Sequence, residues 1–126
     1  MSDQNVDLAR GAYEAFGRGD VPAVLASLAE DVDWNVPAVL PHGMKAHGRE
    51  EVGGFFEGLG ATWSDFQVEV DDFVGSDDRV CVIGRARGRL DGSDAGYGFV
   101  HSWTVRDGAL ARFDEYVDPS PELLAR

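Results

Sequence analysis

The 126-residue chain carries 23 acidic against 11 basic side chains, a net charge of −12, and Lys45 is its sole lysine. That balance argues against a nucleic-acid partner and against anionic membrane surfaces. At 44 % hydrophobic residues the chain is long enough for one domain with a real core, and its one cysteine, Cys81, excludes an internal disulfide or a cysteine-built zinc site. The opening MSDQNVDLAR has no basic segment followed by an apolar run, and no stretch approaches 18 consecutive apolar residues; a soluble, cytoplasmic protein is expected.

Ala9, Ala12, Tyr13 and Phe16 recur at helical spacing and predict an amphipathic helix over 5–17, ended by Gly17 and Gly19. Asp20 then reads as the N-cap of a second helix, with Pro22 in its first turn and Val21, Val24, Leu25 and Leu28 as its stripe. Residues 31–37 (DVDWNVP) read as a short strand, in which Trp34 and Asn35 must face opposite ways. A loop over 41–48 leads to a third helix from Arg49 to about Leu59, with Val52, Phe55, Phe56 and Leu59 on one face. Gly53 and Gly54 weaken that helix by about 1 kcal/mol each relative to alanine, so close packing on a neighbour is their expected use.

From Trp63 the period becomes two. Phe66, Val68 and Val70 alternate with polar residues, and 75–78 make a turn. Residues 79–90 form a long strand with Val82, Gly84, Ala86, Gly88 and Leu90 on one face and Ile83, Arg85, Arg87 and Arg89 on the other. After a glycine-rich turn over 91–96, residues 97–118 (YGFVHSWTVRDGALARFDEYVD) predict a β-hairpin. A three-residue Arg106-Asp107-Gly108 loop pairs Val105 with Ala109 and aligns His101 and Trp103 with Ala111, Phe113 and Glu115. His101 then lies opposite Phe113, with Glu115 diagonal. A two-residue turn would slip the register and bring in Asp114 and Tyr116 instead. Three helices followed by antiparallel strands make an α+β plan, with the helices gathered on one side of a curved sheet.

Three local patterns carry a resemblance: Ala12-Tyr13-Glu14-Ala15-Phe16 closing on Gly19-Asp20; Ala29-Glu30-Asp31 before the first strand, with Gly48 opening the third helix; and Val100-His101-Ser102-Trp103 running through Asp107-Gly108 to Arg112-Phe113-Asp114-Glu115-Tyr116-Val117-Asp118. Over nearly the whole chain this resembles the nuclear transport factor 2-like superfamily and, within it, the SnoaL-like polyketide cyclase branch. The resemblance implies a conical α+β barrel around a deep apolar pocket, and a homodimer formed through the outer sheet face. The superfamily includes cyclases, isomerases, epoxide hydrolases and binding domains, so the residues must decide function. The isomerase base and first-helix tyrosine align with Val36 and Ala12, and the arginine and aspartate of the epoxide hydrolases with Ala86 and Gly88.

Glu115, set among Phe113, Trp103 and Val117, is the candidate general base, because desolvation disfavours a lone carboxylate's charged form. His101 is the candidate donor to an oxyanion or shuttle for the abstracted proton, and Asn35 a further hydrogen-bond donor at the pocket mouth. Tyr13, Trp34, Phe55, Phe56, Phe99, Trp103 and Phe113 are the candidate walls for a small apolar ligand. His42 and His47, five apart in a loop without matching carboxylates, make a poor metal site, and neither metal nor cofactor is expected. The leading expectation is a cofactor-independent acid–base enzyme of cyclase or isomerase type acting on a small apolar carbonyl compound. Its rivals are a non-catalytic binding or dimerisation module and an epoxide hydrolase.

Overall fold

A computed structural model describes residues 2–124, as α1 (Ser2–Gly17), α2 (Val21–Ala26), β1 (Leu28–Val36), β2 (Met44–His47), α3 (Gly48–Thr62), β3 (Ser64–Ser76), β4 (Arg79–Leu90), β5 (Ser93–Arg106), β6 (Ala109–Pro119) and α4 (Pro121–Leu124). The six strands form one sheet in the order β2-β1-β6-β5-β4-β3. Neighbours are antiparallel except β1 and β6, which run parallel. The expected α+β plan is therefore met by a mixed sheet, and the cone it forms is an open one, with β2 and β3 as free edges. His42, in the β1–β2 connection, accepts a 3.0 Å hydrogen bond at Nδ1 from the indole N–H of Trp63, the residue joining α3 to β3.

Local chemistry sets the helices. Asp20 caps α2 by accepting the Ala23 N–H at 3.1 Å, and the proline in the first turn has no amide proton to leave unpaired. Ala9, Ala12 and Ala15 bury one face of α1, so the helix approaches the sheet closely. On β4, glycine is required by contact. A Cβ on Gly84 would collide with the Glu69 carbonyl oxygen, and one on Gly88 would lie 2.9 Å from Trp63 Cε3 and 3.0 Å from the Ser64 carbonyl oxygen, so both positions let the neighbouring chain approach closely. The helical glycines behave otherwise. Gly53 meets Leu25 at an ordinary 3.6 Å, and nothing approaches Gly54, whose expected packing role is not met.

Several boundaries move. The short strand β2 lies inside the expected loop, α3 runs on to Thr62, and β5 begins at Ser93 because Asp91 and Gly92 alone, at φ of 52° and 82°, make the turn. The arginine stripe finds acid within the chain: Arg87 pairs with Glu69 at 2.9 Å and Arg85 approaches Asp71 at 4.0 Å, both across the β3–β4 ladder.

The β5–β6 hairpin departs from expectation in its turn and agrees in its face. Asp107 and Gly108, at φ of 52° and 73°, form a two-residue turn that pairs Arg106 with Ala109. Alone, that turn would carry Asp114 and Tyr116 inward. A bulge at Ala111, between the pairs Val105–Leu110 and Thr104–Arg112, restores the parity. Trp103 consequently faces Phe113, and His101 sits directly opposite Glu115 rather than diagonal to it.

Candidate active site

The concave side of the sheet and the helices α1 and α3 enclose a cavity with almost wholly apolar walls. Tyr13, Trp34, Phe55, Phe56, Phe99, Trp103 and Phe113 all line it, as do His101 and Glu115. The cavity volume is about 80 Å³, room for a few waters. An apolar cavity that takes up benzene measures about 150 Å³, so a ring compound enters only as the wall side chains give way. Stacking organises the wall: Trp34 lies on Phe113 with ring centroids 4.2 Å apart, and the His101 ring lies on Phe99 at 3.8 Å and 10°.

Glu115 is buried and paired. Its Oε2 is 2.7 Å from Nε2 of His101, with side-chain exposures of 5 % and 10 %. Behind the imidazole, the Tyr13 hydroxyl meets Nδ1, and the Trp103 indole N–H donates to the Tyr13 oxygen at 2.9 Å. This geometry assigns the protons. Trp103 can only donate. Burial, reinforced by the charge of Glu115 and opposed by the Trp103 bond, holds the Tyr13 pKa well above its ordinary value, so the phenol keeps its proton. It gives that proton to Nδ1 of His101, whose Nε2–H then donates to the Glu115 carboxylate. No described residue bonds Oε1 of Glu115, which is left for a ligand.

Two expectations change. Both ring nitrogens of His101 are engaged, so it has no N–H left to donate to a ligand's oxyanion. Asn35 is not in the cavity. Trp34 takes the inner face of β1, and the Asn35 amide donates to Asp114 Oδ1 at 2.9 Å on the other face. Burial of the large apolar ring outweighs that of an amide. Nor is an epoxide-opening relay assembled, since the inward positions of β4 are Ala86 and Gly88 while Arg85 and Arg87 turn outward to β3.

The cavity also holds residues that sequence reasoning did not bring together. His42, buried, accepts from Trp63 and meets the Tyr97 hydroxyl through Nε2 at 3.3 Å. Burial pushes the His42 pKa down, keeping the ring neutral, and pushes the Tyr97 pKa up; the negative Glu115 raises both. Tyr97 and Trp63 stand at the heads of period-two runs and were legible as core. Nothing near His42 signals partners 21 and 55 residues away. Its loop neighbour His47 turns out to Asp33 at 2.8 Å, and among the described residues no three metal-ligating side chains gather. No helix among them is long and apolar enough to cross a membrane.

Known proteins can now be set beside this geometry. No curated protein matches the chain. Among solved structures, it is similar to a nuclear transport factor 2-like protein of unknown function from Burkholderia pseudomallei, with 34 % identity, coverage of 94 % of this chain and 92 % of that one, and a TM-score of 0.85. It is similar to TerC, co-crystallized with polyporic acid, with 27 % identity, coverage of 91 % and 92 %, and a TM-score of 0.82. A Xanthomonas campestris protein provisionally assigned as a polyketide cyclase shares 25 % identity over 93 % of this chain and 92 % of its own, with a TM-score of 0.76. The family model described as "SnoaL-like domain" matches residues 9–113, and the chain belongs to that family.

Proposed function

We propose that the protein is a cofactor-independent acid–base enzyme that moves a proton beside the carbonyl of a small apolar compound, as a cyclase or isomerase does. The observation that carries this reading is Glu115: a buried carboxylate in an aromatic cavity, with one oxygen fixed by His101 and the other unbonded by any described residue. Oε1 takes the proton from the carbon next to the carbonyl. Oε2 stays bonded to His101, which turns the carboxylate toward the substrate and, backed by Tyr13, accommodates the change in charge. The proton returns from Glu115 to a second carbon in an isomerisation; in a cyclisation the enolate carbon attacks a second carbonyl, and Glu115 returns its proton to the alkoxide so formed. That a similar protein, TerC, crystallizes with polyporic acid supports a small-molecule ligand for this cavity.

Aromatic and cyclic ketones incubated in deuterated water test the proposal without knowledge of the substrate. Deuterium should enter next to the carbonyl, and Glu115→Gln, nearly isosteric, should slow this by about 10²- to 10⁴-fold while the fold is kept. Exchange that survives the substitution would falsify the base, and binding without any exchange would favour the non-catalytic module.

The proposal extends to assembly. Ile83, Val100 and Tyr116 are register neighbours across β4, β5 and β6 on the outer face, 40 %, 38 % and 64 % exposed. A second copy seated on this row would bury it. Light scattering should give about 27 kDa, twice 13.6 kDa; the monomer mass at micromolar concentration sinks the dimer.

A further inference from the structure

The buried donors of the cavity outnumber the protein acceptors available to them. Trp63 can only donate, and its N–H goes to Nδ1 of His42 at 3.0 Å. A neutral His42 with Nδ1 accepting must carry its proton on Nε2, so the 3.3 Å contact to Tyr97 is a donation from His42 into the phenolic oxygen. The Tyr97 proton then has no acceptor among the described residues. Tyr97 is 6 % exposed and lines the cavity. Trp34, 4 % exposed and also lining the cavity, has an indole N–H that no described residue accepts. A buried donor without a partner costs about 1–3 kcal/mol, and a ligand that accepts from it removes that cost.

We propose that Trp63, His42 and Tyr97 form a second polar subsite where the β1–β2 connection meets β5, in which the Tyr97 hydroxyl donates to a carbonyl oxygen of the bound ligand. Trp63 sets the His42 tautomer, His42 aims the Tyr97 oxygen, and Tyr97 alone touches the ligand; the first two are positioning residues. The subsite selects for an oxygen acceptor on an otherwise apolar ring compound and against a hydrocarbon, whose binding would leave the donor bare. It needs no turnover at Glu115 and stands even where that residue only binds.

Two measurements test it. In the unliganded protein labelled with ¹⁵N, the His42 ring should show Nδ1 unprotonated and Nε2 protonated, with Trp63→Phe admitting the other tautomer. A wild-type ring protonated on Nδ1 overturns the proposal whatever any variant does. The second uses acetophenone labelled with ¹³C at its carbonyl, read by infrared difference spectroscopy. Wild type and Glu115→Gln should both bind it and shift the carbonyl stretch to lower frequency. Tyr97→Phe should remove that shift and weaken binding by about 2- to 12-fold, the worth of one neutral hydrogen bond. A shift unchanged in Tyr97→Phe, a shift lost only in Glu115→Gln, or no binding by the wild type at saturating acetophenone would each overturn it. Exchange that is unchanged in Glu115→Gln, with the Tyr97-dependent shift intact, would instead count against the proposed base alone.

Discussion

Two relays reach the cavity wall, one ending at Glu115 and the other at Tyr97, and are built from nearly the same parts in a different order. In one, Trp103 donates to Tyr13, Tyr13 to His101 and His101 to Glu115. In the other, Trp63 donates to His42 and His42 to Tyr97. Each begins at an indole that can only give a proton. The first ends on a carboxylate, so every proton along it is used and lone pairs remain for the ligand. The second ends on a phenol, so a proton remains. The last residue of a relay decides whether its end of the cavity gives or accepts, and the tryptophan at its start fixes the tautomers between.

The comparison breaks most visibly when the charged relay loses its imidazole. His101→Leu leaves the Glu115 carboxylate buried without its donor, and should cost about 3–5 kcal/mol in urea denaturation. Adding Glu115→Leu should restore much of that stability, because a buried pair exchanged whole for apolar groups is often neutral. A double variant as unstable as the single would show that shape, not charge, governs this end.

At the neutral relay His42→Leu orphans the Trp63 donor without stranding a charge, so about 1–3 kcal/mol is expected. Here pH sharpens the contrast. Burial holds the His42 pKa below its unfolded value, so as pH falls below about 6.5 the unfolded chain takes up a proton that the folded one refuses. The wild type loses stability over that range and His42→Leu does not, which narrows the gap between them in acid. His47, whose pKa the Asp33 hydrogen bond raises, acts with the opposite sign: its contribution is full below the unfolded pKa and fades as pH rises through the folded one. A gap between wild type and His42→Leu that is constant from pH 7.5 to 5.5 would show that His42 is not held neutral.

How much of this could be read beforehand depended on how locally each feature is encoded. The long strands announced themselves because Phe66, Val68, Val70 and the inward face of β4 repeat every two residues. β2 did not, since Met44 to His47 is four residues with no apolar alternation, and β5 was entered late because Ser93 to Gly96 carry almost no apolar signal. Glu115 and His101 were legible as polar groups on an apolar face. Their direct pairing was not, because no residue type marks Ala111 as the bulge that sets the parity. Alternation placed Trp34 and Asn35 on opposite sides but could not choose between them; packing on Phe113 did. His42 acquires meaning only when a loop meets the distant α3–β3 junction and β5.

The span of each contact along the chain also orders how the first relay comes together. His101 and Glu115 are 14 residues apart, within one hairpin, whereas Tyr13 and His101 are separated by 88. Loop-closure entropy grows with the logarithm of length, so the longer closure costs about 1.6 kcal/mol more. The acid and its imidazole are thus a local assembly, complete once the last two strands have met. The phenol is delivered by the far end of the chain and is held only by the docking of α1. Loosening that helix would uncap Nδ1 while the hairpin beneath kept its pair intact, which makes α1 the part of the fold through which strain or solvent reaches the chemistry first.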